Sequence, residues 1–170
     1  RFKIFSIMNQ EKFSIWLVPS DIDVDFINII IHSLSKKYLA PTFIPHCTIF
    51  SPIIDINKAQ DTIEQFDQKK FQINVENIGE SDDIWKTVFL KLVNDSTLKK
   101  INSLFDKAFP HRYHFDPHIS LIYKKLDFKK RKSIINKLDM EKSFVIDKIS
   151  IVCTSDIVED WETVYSKKLN

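Results

Sequence analysis

Phe43-Ile44-Pro45-His46-Cys47-Thr48-Ile49-Phe50 returns later in the chain as Phe115-Asp116-Pro117-His118-Ile119-Ser120-Leu121-Ile122, matching in register at Phe, Pro, His, hydroxyl and aliphatic positions. Six prolines and five histidines in 170 residues make such a coincidence a poor product of chance. The flanks repeat as well. Trp85-Lys86-Thr87-Val88-Phe89 resembles Trp161-Glu162-Thr163-Val164-Tyr165, and both resemble Phe13-Ser14-Ile15-Trp16-Leu17-Val18. A period of about 72 residues is too long for a solenoid and implies a duplicated unit forming two lobes.

Outward from the two motifs, the same order of elements is legible in each half. Residues 13–18 alternate as a strand does, and Pro19-Ser20-Asp21 closes it. A helix then runs from about Ile22 to Tyr38, with Phe26, Ile29, Ile30, Leu34 and Tyr38 expected on one face. Its counterpart starts after Asn94-Asp95-Ser96, an N-cap signal, and turns Leu98, Ile101, Leu104, Phe105 and Ala108 inward. Each half next enters its Pro-His strand, then a helix near 57–67 or 128–138, then a strand beginning at Phe71-Gln72-Ile73 or Phe144-Val145-Ile146. Strand, helix, strand, helix, strand in each half predicts an α+β protein of two similar lobes, with helices on the outer faces and a cleft between. The reading takes 8–170 as one bilobal domain and residues 1–7 as an extension or remnant preceding Met8.

Composition narrows the chemistry. Gly79 is the only glycine, so glycine-rich phosphate loops and dinucleotide fingerprints are excluded, and phosphate must be held by side chains. Twenty-five basic against twenty-three acidic residues leave a charge of +2, far from the positive surface that neutralises a long run of backbone phosphates. A small nucleotide-like cyclic phosphate or one RNA end is the better partner. Cys47 and Cys153 form neither a disulfide framework nor a CxxC pair, which fits a reducing cytoplasmic setting. No apolar run approaches the ~18 residues of a membrane span, so no membrane partner is expected and the protein is read as a monomer.

In a strand, alternate side chains share a face, so His46 projects with Thr48 and His118 with Ser120, while Cys47 and Ile119 turn into the core. Pro45 and Pro117 hold the preceding residue extended. If the lobes pair about a local twofold axis, two imidazoles and two hydroxyls surround one small volume. One neutral histidine then takes a proton from water while the other, protonated, gives one to a departing ribose oxygen; an unperturbed imidazole, near ~6.5, serves both states. The hydroxyls donate to nonbridging phosphate oxygens. This chemistry needs neither metal nor cofactor.

The pair His46-Cys47-Thr48 and His118-Ile119-Ser120, set in duplicated halves, resembles the two His-x-Ser/Thr signatures of the 2H phosphoesterases. Phe13-Ser14-Ile15-Trp16 and His118-Ile119-Ser120-Leu121-Ile122-Tyr123 are similar to the cyclic phosphodiesterase branch in particular. The resemblance covers nearly the whole chain from about residue 11. It implies two pseudo-twofold-related lobes of antiparallel sheet with outer helices and the active site between them. It also implies substrates with a cyclic phosphate on ribose, namely nucleoside 2′,3′-cyclic phosphates or ADP-ribose 1″,2″-cyclic phosphate. Carried over by position, His46 and His118 are the acid-base pair, Thr48 and Ser120 bind phosphate, and Tyr123 and Trp16 contact substrate. Strict alternation puts Tyr123 on the wrong face for that role, so a twist or bulge is required at the strand end.

Blander readings stand beside these. A large aromatic such as Trp16 more often packs in a core than serves a ligand. His111, His114 and His118 with Asp116 tempt a metal reading, but in an extended chain residues four apart are separated by ~13 Å; His32, His111 and His114 are read as surface or loop histidines. The run Lys124, Lys125, Lys129, Lys130, Arg131 and Lys132 is a solvated helix start, with contact to an RNA phosphate as its minority role. Two alternatives keep the fold: a phosphodiesterase acting on 2′-5′ linkages or RNA termini, and a non-catalytic RNA-binding module.

Overall fold

The computed structural model describes residues 11–170, so the expected extension over 1–7 and Met8 lie outside the described residues. The chain runs β1 (Lys12–Pro19), α1 (Asp21–Tyr38), β2 (Cys47–Ile53), α2 (Ile56–Glu64), β3 (Phe71–Glu80), β4 (Val88–Leu92), α3 (Ser96–Ala108), β5 (His118–Ile122), α4 (Phe128–Lys137), β6 (Ser143–Thr154) and β7 (Glu162–Lys168). Single 3-10 turns precede β4 (Ile84–Lys86) and β7 (Val158–Asp160). The three-residue signal at 94–96 is borne out: the Asp95 carboxylate accepts from the Leu98 N–H and starts α3. Asp55 and Asp127, nine residues after His46 and His118, cap α2 and α4 in the same way, accepting from Lys58 and Lys130.

All strand pairs are antiparallel, and the seven strands join in one hydrogen-bonded path, β2-β1-β6-β3-β4-β5, with β7 on β6. The lobes are not the sequence halves. The third strand of each half crosses over: β3 pairs with β4 in the lobe carrying His118, and β6 pairs with β1 in the lobe carrying His46. The lobes meet where Phe71–Asn74 of β3 pairs with Ser143–Ile146 of β6. Helices follow the same exchange, α1 packing on β5 as well as β1 and α3 packing on β2. One continuous core of buried Ile, Leu and Phe side chains, among them Ile15, Phe50, Leu90, Phe105 and Phe144, joins both lobes.

Helix α1 departs from the expected pattern at one position. Its fully buried residues are Ile27, Ile31, Leu34 and Ser35, and the expected Phe26, Ile30 and Tyr38 pack partly buried on the core, whereas Ile29, assigned to the core face, is 72% exposed. Phe26, Ile27, Ile29, Ile30 and Ile31 cover more than half of the helix circumference, so periodicity alone could not set the edge of the buried face; contact with two sheets at once does.

Both His strands carry a β-bulge at the same place. In β2, Trp16 pairs with Thr48 but Ile15 with Phe50; in β5, Phe89 pairs with Ser120 but Val88 with Ile122. Ile49 and Leu121, each three residues after its histidine, are the extra residues. Each bulge advances the alternation by one, and the fifth residue after the histidine returns to the cleft: Ser51 in one strand and Tyr123 in the other.

Candidate active site

A pocket of about 420 Å³ lies between the lobes, and all six residues expected to act there line it: His46, Thr48, His118, Ser120, Trp16 and Tyr123. Each imidazole is oriented by the carbonyl two residues upstream. The His46 Nδ1–H donates to the Ile44 carbonyl at 2.6 Å and the His118 Nδ1–H donates to the Asp116 carbonyl at 2.7 Å. A carbonyl only accepts, so the proton sits on Nδ1 in both rings and Nε2 is the atom left for chemistry.

The environments differ. His46 is 6% exposed, with Trp16 stacked on it at 3.4 Å between centroids and Phe43 edge-on at 6.3 Å. Burial lowers its pKa from 6.5 to about 3; the Ile44 carbonyl opposes the shift and nearby His118 adds to it. His118 is half-buried, edge-on to Phe89, with the Lys86–Asp116 ion pair alongside and Lys86 over the Phe89 ring. Its pKa is also lowered, first by burial, with the Asp116 carbonyl raising it and Lys86 lowering it. The expectation of unperturbed imidazoles is therefore corrected: removing water from the cleft disfavours the cation at both positions, most at His46.

The hydroxyls differ too. Ser120 Oγ–H donates to the Trp85 carbonyl at 2.9 Å, and so is held by the turn before β4. Tyr123 is buried beside it, and that burial pushes its phenol above the ordinary range, so it remains a neutral donor. Trp16 is 3% exposed, in a small apolar cluster with Val18 and Val152, and it also walls the pocket as the plane on which His46 rests. The bulge answers the objection to Tyr123.

Sequence reasoning left several pocket residues unassigned. Trp85 and Trp161 line it, bringing all three tryptophans of the chain to one site. Their repeated flanking motif was legible; its convergence on the cleft was not. The opposite end is rich in hydroxyls: Ser14 Oγ is 2.9 Å from Ser51 Oγ and 3.3 Å from Thr154 Oγ1, with Lys12, Ser155 and Asp156 nearby. The single glycine also serves this region, because a Cβ on Gly79 would meet the Phe89 ring at 2.4 Å, and Phe89 flanks His118. Among the described residues no group of three His, Cys, Asp or Glu could hold a metal ion, and no helix is long and apolar enough to cross a membrane.

Residues 12–169 match the family described as cyclic phosphodiesterase-like protein. Curated protein sequences gave no match. Among solved structures, Escherichia coli LigT complexed with 3′-AMP is similar at 11% identity and a TM-score of 0.59, over 94% of this chain and 98% of that one. A structure described as a phosphoesterase is similar at 12% identity and a TM-score of 0.62, with 94% and 98% covered. A Thermus thermophilus protein is similar at 9% identity and a TM-score of 0.60, with 93% and 97% covered. At these identities the likeness is one of fold.

Proposed function

The chain belongs to the cyclic phosphodiesterase-like family of 2H phosphoesterases, and from that premise we propose that it hydrolyses a cyclic phosphate on ribose to the phosphomonoester. Nucleoside 2′,3′-cyclic phosphates and ADP-ribose 1″,2″-cyclic phosphate are the substrates assigned. The observation that carries the reading is the matched pair of imidazoles, fixed in one tautomer by carbonyls two residues upstream and lining one pocket.

His46, the more deeply buried and the harder to protonate, is the general base. Its Nε2 takes a proton from water as the water oxygen attacks phosphorus. His118, half-buried beside Asp116, is the general acid; its Nε2–H protonates the ribose oxygen as the P–O bond to it breaks. An anionic phosphate between the rings favours both cations, and offsets at His118 the effect of burial. Thr48 and Ser120 donate to the nonbridging oxygens, Ser120 by turning its hydroxyl away from the Trp85 carbonyl. Neither metal nor cofactor has a part in this scheme, and a cytoplasmic monomer acting on a small cyclic phosphate completes it.

The test is turnover of both cyclic phosphates with a chelator present. Phosphomonoester formation that survives chelation and is lost in His46→Ala supports the mechanism; undiminished turnover in that variant would end it. A second reading, a 2′-5′ or RNA-terminus phosphodiesterase, draws on the hydroxyl-rich end beyond the histidines, which offers Lys12, Ser14 and Ser51 to a second nucleotide. Competition between a 2′-5′ dinucleotide and a nucleoside 2′,3′-cyclic phosphate separates the two. The non-catalytic RNA-binding module is the weaker alternative, since the complete His and hydroxyl set has no use in it.

A further inference from the structure

The duplicated Trp-x-Thr-Val-aromatic motif has no part in the acid-base chemistry, yet its two tryptophans meet over the cleft. Trp85 and Trp161 stand at equivalent places, each in the turn that leads into the second strand of a hairpin, β3-β4 in one lobe and β6-β7 in the other. Their ring centroids are 5.9 Å apart and their planes 26° apart. Tyr123 lies edge-on to both, at 5.5 Å from Trp85 and 5.4 Å from Trp161, and forms the floor of the gap. The Trp161 Nε1–H donates to the Ser155 carbonyl at 2.8 Å, which fixes that indole. The Trp85 backbone is held at both ends, its N–H by the Asp83 carboxylate and its carbonyl by the Ser120 hydroxyl, each at 2.9 Å.

A packing role accounts poorly for Trp85, which is 37% exposed and belongs to neither apolar cluster. Two indoles 26° from parallel, with an aromatic floor and in the pocket that both histidines line, select a flat aromatic guest. We propose that Trp85 and Trp161 clamp the nucleobase of the substrate, so that the enzyme reads a nucleoside rather than a bare sugar phosphate. The proposal rests on the cyclic phosphate activity and refines its substrate class. Contact distances of about 3.5 Å on each face of the base require the rings to part by about 1 Å.

The experiment compares adenosine 2′,3′-cyclic phosphate with methyl ribofuranoside 2,3-cyclic phosphate, which has no base. In Trp85→Leu and Trp161→Leu the preference in kcat/KM for the nucleoside falls by roughly 10- to 100-fold, and Trp85→Phe restores most of it. A preference equal to wild type in both leucine variants overturns the clamp. Tryptophan emission gives a readout independent of turnover: adenosine 2′-monophosphate quenches it, base-free ribose phosphate does not, and Trp85→Leu weakens the quench. Equal response to the two ligands also overturns it. Wild-type protein that hydrolyses neither cyclic phosphate would defeat the activity proposed above, and the emission titration alone would then decide the clamp.

Discussion

The strands that carry His46 and His118 share a backbone down to the bulge three residues on, yet the two rings live in different media. His46 is sealed under Trp16 and Phe43 with Ile44 before it; His118 is half-open, with Asp116 and Lys86 beside it. Position five after the histidine is Ser51 in the first strand and Tyr123 in the second, so one end of the cleft is small and polar and the other large and aromatic. Duplication thus accounts for the symmetric placement of two imidazoles. The residues around each ring supply the asymmetry on which the proposed roles of base and acid rest.

The sharpest way to break this comparison is to remove each ring. His46→Ala and His118→Ala each lower kcat/KM on a cyclic phosphate by roughly 10²- to 10⁴-fold. With a 4-nitrophenyl phosphodiester, whose leaving group needs no proton, His118→Ala recovers most of the loss and His46→Ala does not; the reverse pattern would exchange the roles.

Acidification comes next. With the His46 pKa lowered from 6.5 to about 3, the unfolded chain takes up a proton that the folded protein refuses. The stability from that site is complete above about pH 6.5 and declines as pH falls toward 3, by on the order of a few kcal/mol. Thermal unfolding across that range should show a shallower slope in His46→Asn than in wild type. The same shifts act on turnover. Because the His118 pKa is lowered as well, kcat/KM follows a bell whose optimum lies on the acid side of 6.5, and bound phosphate moves the kcat profile upward.

Smaller effects test the hydroxyls and the helix caps. Thr48→Ala and Ser120→Ala each reduce kcat by roughly 10- to 100-fold, and the Ser120 change also releases the turn at Trp85, so it raises KM more. Asp55→Ala and Asp127→Ala, at matching places after the two His strands, each destabilise by about 1 kcal/mol in denaturant titrations and leave kcat within a factor of two.

What the sequence disclosed was periodic or repeated. The His-x-hydroxyl strands, the Asp95 cap and the order of elements are local patterns, and local patterns survive in a string of residues. On α1 the expected Phe26, Ile30, Leu34 and Tyr38 do pack on the core and Ile29 does not, because the apolar residues between Phe26 and Ile31 cover more than half of the helix circumference and the packing of α1 across two sheets decides among them. The Ser51 and Tyr123 equivalence needed the bulges, which have no marker in sequence beyond a failed alternation. Solvent exclusion around His46 arises from Trp16 and Phe43, thirty and three residues away, and no motif reports it. The strand exchange was invisible for the same reason, since the repeated order of elements does not say which sheet the third strand of each half joins.

That exchange bears on how the molecule is made. Strand β1 finds its full-length partner only in β6, more than a hundred residues downstream, and until then one side of it has nothing to pair with. Translation has to reach β6 before the sheet bearing His46 can close, at the loop-closure expense of a long-range contact. Nascent chains halted before residue 143 should therefore be held by chaperones or degraded, and neither half, expressed alone, should yield an ordered lobe.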